Sequence, residues 1–243
     1  MTEFTMGIAG RVIRVRAMYE STKEYCHKFL TDGTPEVFLE VKAEDVDYEK
    51  GRTADRLMGD AYLETIALQR KLTAWLLARD TLLFHGSVVA VDGKAYLFAA
   101  KSGTGKSTHT RLWRQLLGEK AVMVNDDKPF LYCGGDEVLA CGSPWNGKHR
   151  LGENISLPLK AICILERGEE NTIARISAGD ALAMLLQQSN HPGVRNQMDD
   201  YLGLIDRLAQ KVAFYRLRCN MDIEAAKLSY GVMAAGKENR NED

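Results

Sequence analysis

The chain has 243 residues, of which 45% are hydrophobic and 27% charged, and its formal net charge at pH 7 is −1. This length allows one sizeable α/β domain with a smaller appendage, and the ordinary composition excludes a disordered body. A net charge so close to zero gives no general attraction to nucleic acid or to an anionic membrane surface. We therefore expect neither of these as a partner.

The first third of the chain predicts a small α+β subdomain over residues 1–80. Strands are predicted at Arg11–Met18 and Val37–Val41, an acidic, turn-rich segment at Ala43–Tyr48, and a long helix at Asp55–Arg79. The N-terminus lacks an apolar core of signal-peptide length, and no apolar run is long enough to span a membrane. These features predict a cytoplasmic protein.

Three strands are predicted next, at Thr81–Phe84, Ser87–Val91 and Ala95–Ala99. The Asp92-Gly93 pair between the second and third of these strands is a strong hairpin signal. The last strand runs directly into the sequence Ala-Lys-Ser-Gly-Thr-Gly-Lys-Ser, residues 100–107, which has the pattern of a phosphate-binding loop.

Each part of this loop has a physical role in holding a nucleotide. Gly103 and Gly105 let the backbone turn and point its N–H groups at phosphate oxygens, Lys106 reaches the outer phosphates, and the Ser107 hydroxyl is placed to hold Mg²⁺. The predicted helix Thr108–Leu117 puts the anion at a helix N-terminus. The predicted nucleotide contacts are Ser102, Gly103, Thr104, Gly105, Lys106, Ser107 and Thr108. The pattern expects glycine at position 100, where alanine is tolerated if its φ stays negative.

Two polar groups flank the loop in sequence. His85-Gly86-Ser87 lies upstream, and Asn125-Asp126-Asp127 follows an apolar strand downstream. Of two aspartates at a strand end, one can anchor Mg²⁺ while the other accepts a proton from an attacking hydroxyl. Two adjacent like charges also raise the pKa of one carboxyl group.

The rest of the chain completes a predicted catalytic domain over residues 81–235. Strands are predicted at 121–124, 130–133, 138–141, 159–165, 172–176 and 213–217. A capping box at Ser177–Asp180 starts a helix whose buried stripe is Leu182, Leu185 and Leu186. Further helices are predicted at Asn196–Lys211 and from Asp222 toward Met233, and a disordered tail at 236–243. The five cysteines are widely spaced without a metal-binding pattern, so we expect them to be buried and reduced.

His85-Gly86, the loop ending in Gly-Thr-Gly-Lys-Ser and the Asp126-Asp127 pair together resemble the catalytic core of the HPr kinase/phosphorylase family. The loop is also similar to that of ATP-dependent phosphoenolpyruvate carboxykinase. The resemblance is clear over residues 80–165. It implies an α/β P-loop kinase core with a mixed sheet and flanking helices, ATP and Mg²⁺ as cofactors, and a possible homo-oligomer.

The resemblance also implies roles for individual residues. Asp126 and His85 would lie at the phosphoryl-transfer centre, with Asp126 as the base toward a serine of a peptide or small protein. Lys106 would hold the phosphates, while Ser107 and Asp127 would be on the metal side. One departure concerns the acceptor: Gly-Ser-Pro-Trp-Asn-Gly-Lys, residues 142–148, stands where HPr kinases have a different signature. This wording is closer to HPr-kinase-related proteins of modified-peptide pathways, such as lasso-peptide kinases.

Several interpretations stay open at this point. The cationic run 148–150 either touches substrate or is a solvated loop, and Trp145 either stacks on a ligand or anchors a turn. Arg195, in the Pro-Gly loop 189–195, either neutralises the transferring phosphoryl group or belongs to an ordinary helix connection. For the whole protein, the alternatives to a serine kinase are a nucleotide-sensing module without acceptor chemistry and a kinase of free serine or of a small carboxylic acid.

Overall fold

A computed structural model describes residues 1–53, 57–191 and 197–235 of the chain. It divides into two compact units, Met1–Arg79 and Asp80–Asp243. Each unit has its own sheet.

The first unit is built on a three-stranded sheet of β1 (Thr2–Ile8), β2 (Arg11–Ala17) and β3 (Val37–Glu40). β1 and β2 form an antiparallel hairpin, and β3 runs parallel to β2. The two predicted strands of this region are confirmed, whereas β1 was not predicted. Alternate side chains of the hairpin are buried, as expected for a sheet with one covered face: Phe4, Met6, Ile8, Ile13, Val15 and Ala17.

The described residues of this unit also form three α-helices: α1 (Glu20–Tyr25), α2 (Ala43–Arg52) and α3 (Asp60–Leu77). The prediction of a turn-rich segment at Ala43–Tyr48 is wrong, because these residues lie in α2. This helix is held by charge pairs with α3, in which Arg70 bonds Glu49 at 2.6 Å and Lys71 bonds Asp45 at 2.5 Å.

A fully buried carboxylate ties α3 to the start of α1. Glu64 accepts hydrogen bonds from the backbone N–H groups of Met18 and Tyr19 and from the hydroxyl of Thr22. Carboxylates near a helix N-terminus satisfy backbone donors that the helix itself leaves unpaired. Glu64 therefore fixes where α1 begins.

Within the described residues, the second unit holds a nine-stranded mixed sheet. Its strands are β4 (Thr81–Leu83), β5 (Ser87–Val91), β6 (Lys94–Ala99), β7 (Ala121–Asn125), β8 (Phe130–Tyr132), β9 (Leu139–Cys141), β10 (Ser156–Arg167), β11 (Thr172–Ile176) and β12 (Ala213–Cys219). The strand order is β4-β8-β9-β10-β6-β5-β7, with β12 paired to β10 and β11 paired to β12. β10 pairs in parallel with both β6 and β12. All of the strands predicted for this region are confirmed, with ends that differ by a few residues.

The helices of this unit are α4 (Lys106–Leu117), α5 (Ala178–Gln188), α6 (Met198–Lys211) and α7 (Ile223–Ala235). α4 and α7 are joined through the buried Ser229, whose hydroxyl contacts His109 Nε2 at 2.9 Å and Trp113 Nε1 at 2.8 Å. The capping box of α5 is confirmed, since Ser177 Oγ accepts the Asp180 N–H. Leu182 was expected to be buried, but its side chain is exposed.

The predicted fold class is confirmed. The second unit is an α/β structure with a large mixed sheet and flanking helices, and the first is a small α+β structure. In the described part of the chain, no helix has the length and apolar character needed to cross a membrane.

Candidate active site

The strand directions of the second unit bring the predicted site residues to one edge of its sheet. β5 is antiparallel to both β6 and β7, so β6 and β7 run the same way and their carboxyl ends lie at the same edge. The phosphate-binding loop follows β6, Asp126 follows β7, and Ser87 begins β5 at this edge. Ligands of α/β proteins bind at this edge of the sheet.

The loop has the backbone conformation that its glycines predict. Gly103 has a φ of +77° and Gly105 a φ of +122°, which side chains with a Cβ rarely adopt. Gly105 is the N-cap of α4, and no side chain from the described part of the chain caps this helix. The N–H groups of the first helical turn are therefore available to an anion. Ala100 keeps a negative φ, which explains why alanine is tolerated there.

Lys106 is a buried cation at the start of α4. Its Nζ donates a hydrogen bond to the carbonyl of Ala100 at 3.1 Å. Burial lowers the pKa of Lys106, while the carboxylates of Asp127 and Asp126 oppose this shift. The loop is also held from β10, where Arg167 Nη2 donates to the carbonyl of Gly103 at 2.6 Å.

Asn125 shapes the turn that carries the two aspartates. Its Oδ1 accepts hydrogen bonds from the N–H groups of Asp127 and Lys128, at 2.8 and 2.7 Å. Its Nδ2 donates to the carbonyl and hydroxyl of Ser143. Because Asn125 is fully buried, this network orients the backbone on which Asp126 and Asp127 are mounted.

Asp126 is held by a short chain of hydroxyl groups. Its Oδ1 accepts a 2.6 Å hydrogen bond from Ser87 Oγ, which in turn lies 2.9 Å from Thr110 Oγ1 of α4. Ser87 and Thr110 are buried. Sequence reasoning assigned no role to either hydroxyl, although Ser87 directly follows the His85-Gly86 pair.

His85 lies beside the other aspartate. Its Nε2 is 3.4 Å from Asp127 Oδ1. Burial, together with the charges of Lys128 and Lys106, lowers the pKa of His85 to about 4, so the imidazole is neutral at pH 7. The contact is therefore one between a neutral ring and a carboxylate. The resemblance places His85 with Asp126 at the phosphoryl-transfer centre, whereas the carboxylate beside its ring in the structure is that of Asp127.

Asp127 is the aspartate whose pKa is shifted upward. Burial is the main cause, and the charge of Asp126 acts in the same direction, whereas Lys128 and Lys106 oppose it. The backbone carbonyl of Asp127 also accepts the Gly86 N–H at 3.0 Å. The segment carrying His85 and the aspartate turn are thus joined by side chain and backbone together.

Two cavities flank the first turns of α4. The first has a volume of about 390 Å³ and lies where β6, β10 and β12 end, next to the phosphate-binding loop. Its apolar wall includes Leu112, Leu165 and Met221, and its polar wall includes Asn220 and Arg167.

The second cavity has a volume of about 540 Å³ and lies on another side of the same helix. It is lined by Ser107, Thr108, Thr110, Arg111, Arg114, Met123, Asp126, His149 and Leu151. Ser107 of the loop and Asp126 therefore face one cleft.

The residues left open by sequence reasoning fall into three groups. Trp145 is 3% exposed and its carbonyl accepts the Lys128 N–H at 3.0 Å, which supports the role of a turn anchor. His149 of the cationic run lines the second cavity, whereas Lys148 and Arg150 are exposed and line neither of the two cavities. Arg195 lies outside the described residues, so its predicted role stays a prediction.

The groups at this edge that could take part in metal binding are the Ser107 hydroxyl and the two aspartates. Among the described residues, no group of three or more histidine, cysteine, aspartate or glutamate side chains is placed to hold a metal ion. Mg²⁺ in nucleotide sites commonly uses one or two protein ligands together with phosphate oxygens and water. The Ser107 hydroxyl and the aspartate pair fit that pattern.

A protein-family model described as SynChlorMet cassette protein ScmC matches residues 62–224, about two thirds of the chain. The chain belongs to the ScmC family. The matched segment includes the phosphate-binding loop, His85 and both aspartates.

Comparison with solved structures finds similarity to the Hpr(Ser) kinase/phosphatase from Coxiella burnetii. The identity is 11%, the TM-score is 0.39, and the alignment covers 63% of this chain and 95% of that one. A search of curated proteins found no match to the ScmC-family chain.

Proposed function

We propose that the second unit binds ATP with Mg²⁺ and transfers the γ-phosphoryl group to a hydroxyl, that of a serine in a peptide or small protein. The observation that carries this proposal is the meeting of a phosphate-binding loop and an aspartate pair at one sheet edge. There Lys106 interacts electrostatically with both Asp126 and Asp127. Phosphoryl transfer needs mainly positioning and charge stabilisation, which this arrangement supplies.

The phosphates of the nucleotide bind at the loop, and its base and ribose bind in the first cavity. The backbone N–H groups from Gly103 to Thr108 and the Lys106 ammonium hold the phosphates. The base and ribose enter the cavity against Leu112, Leu165 and Met221. This apolar wall suits the flat face of a base.

Ser107 and Asp127 would hold Mg²⁺ together with oxygens of the nucleotide. Mg²⁺ bound there would neutralise charge on the β- and γ-phosphates. Neutral His85, next to Asp127, keeps that carboxylate in place without competing for it as a cation.

Asp126 is the base toward the acceptor. It takes the hydroxyl proton as the acceptor oxygen forms its bond to the γ-phosphorus, and the bond from that phosphorus to the β–γ bridging oxygen breaks to release ADP. The Ser87 hydroxyl donates to one carboxylate oxygen and leaves the other for the acceptor.

The test combines nucleotide binding with transfer from γ-labelled ATP to a peptide mixture. Lys106→Ala is expected to lose both, because the buried ammonium that contacts the phosphates is gone. Asp126→Asn is expected to keep nucleotide affinity and to lose transfer by about 10² to 10⁴-fold, the usual contribution of a general base. Lys120→Ala, at an exposed lysine beyond α4, is the matched control and should behave as wild type.

The outcomes separate this proposal from its rivals. Binding of ATP by the wild type without transfer to any hydroxyl would favour a nucleotide-sensing module. Label found only on free serine or on a small carboxylic acid would favour a small-molecule kinase. Equal transfer by Asp126→Asn and wild type would remove Asp126 from the role of base.

A further inference from the structure

The second cavity carries opposite charges along its length. Asp126 and Ser107 lie in its wall together with Arg111, Arg114 and His149. Arg111 is exposed and Arg114 is partly buried, and neither forms an ion pair with any residue in the described ranges. Arginines with no internal partner beside a cleft are available to a ligand's carboxylates.

The spacing along α4 gives the arginines a fixed order. Ser107, Arg111 and Arg114 are separated by four and three residues, so they form one stripe on the helix surface. At a rise of 1.5 Å per residue, Arg111 and Arg114 lie about 6 and about 10 Å along the axis from Ser107. An extended peptide advances about 3.3 Å per residue. If the acceptor serine lies at Ser107 and Asp126, the second and third residues beyond it therefore lie at the same distances along the cleft as Arg111 and Arg114.

We propose that this cleft binds an acidic acceptor peptide, with carboxylates two and three residues from the serine that receives the phosphoryl group. The inference rests on the proposed kinase function and adds the chemical class of its acceptor. The Asp126 carboxylate repels acidic groups from the reacting end, while Arg111 and Arg114 attract them further along. A single free amino acid would leave most of the 540 Å³ cleft unfilled.

The test measures binding of two labelled seven-residue peptides in the presence of Mg²⁺ and a non-transferable ATP analogue. Both have one central serine; one has aspartates, and the other asparagines, at the second and third positions on each side. Wild type is expected to bind the acidic peptide at least about tenfold more tightly, since each half-exposed charge pair contributes modestly.

Substitution of the two cleft arginines tests whether they cause the preference for the acidic peptide. Arg111→Gln and Arg114→Gln should each weaken binding of the acidic peptide about threefold, while the affinities for the neutral peptide and for the nucleotide stay unchanged. Arg175→Gln, at an exposed arginine of β11 outside both cavities, is the matched control. Equal affinity of the wild type for the two peptides, or unchanged acidic-peptide binding in both cleft variants, would overturn the proposal. Displacement of the acidic peptide by free serine at a similar affinity would overturn the peptide assignment.

Transfer measured in parallel with ATP separates this inference from the proposed function. A preference for the acidic peptide that depends on the cleft arginines, without any labelled product, would leave the binding site standing and remove the kinase. Equal labelling of both peptides, unaffected by the arginine substitutions, would leave the kinase standing and remove the acidic specificity.

Discussion

Asn125 shows how one buried amide controls two carboxylates. With both of its polar atoms bonded, it fixes the turn from which Asp126 and Asp127 project in different surroundings. Asp126 meets the Ser87 hydroxyl, and Asp127 meets His85. Two chemically identical side chains, adjacent in sequence, thereby receive different partners.

Single residues also set how the fold responds to acid. His109 is buried between α4 and α7, and burial lowers its pKa to about 4 from an ordinary 6.5. The unfolded chain therefore binds a proton at a higher pH than the folded one. The stability that His109 contributes is complete above pH 6.5 and is lost as the pH falls from 6.5 toward 4, by up to about 3 kcal/mol.

We expect the free energy of unfolding of His109→Gln to fall less between pH 7 and pH 4 than that of wild type, when both are measured with denaturant at several pH values. The exposed His27→Gln variant serves as the control and should keep the wild-type slope. Identical slopes for His109→Gln and wild type would show that His109 is not the source of the acid sensitivity.

At the scale of elements, the connection from β9 to β10 depends on close backbone packing. A Cβ at Gly142 would lie 1.9 Å from the carbonyl oxygen of Glu153 and 3.1 Å from that of Val124. The Gly142 N–H also donates to the Ile155 carbonyl at 2.9 Å. This connection contributes Ser143, which supports Asn125, and His149 of the second cavity.

Gly142→Ala should therefore lower the free energy of unfolding by about 2 to 3 kcal/mol or more, since backbone must move to admit the methyl group. Gly203→Ala is the matched substitution, because it lies in α6 with nothing within 4 Å of the added Cβ. It should raise stability by about 0.5 to 1 kcal/mol through helix propensity. Denaturant unfolding of the two variants measures both changes in stability. An unchanged unfolding midpoint for Gly142→Ala would contradict the packing argument.

Sequence reasoning succeeded where the signal is local. The strand, glycine-rich loop and helix of residues 94–117 are contiguous in the chain, and each follows from its own residue pattern. It failed where distant residues decide. One ion pair between α2 and α3 joins Glu49 to Arg70, and the Ser87 to Asp126 hydrogen bond joins residues 39 positions apart. No local pattern contains such pairings.

At the scale of the whole molecule, charge is balanced overall but separated locally. The formal net charge is −1, yet the second cavity concentrates Arg111, Arg114 and His149 near Asp126. Attraction of an acidic ligand would thus act over a short range and be screened within about 10 Å at 0.1 M salt. Specificity of this kind would belong to one cleft, since the net charge of the chain gives no general attraction to polyanions.

The five cysteines differ in exposure, and this difference allows nucleotide binding to be followed by thiol alkylation. Four are buried, and burial raises the pKa of Cys133 to about 12 and that of Cys141 to about 11. Cys219 is the partly exposed one, and it lines the first cavity. Alkylation of the folded protein should therefore modify Cys219 first, as mass spectrometry of the peptides would show.

ATP should slow this alkylation in wild type and not in Lys106→Ala, if the base and ribose occupy the first cavity. An alkylation rate that ATP leaves unchanged in wild type would contradict that placement. A single native thiol would then serve as a footprint for nucleotide occupancy, with no engineered label and no need for turnover.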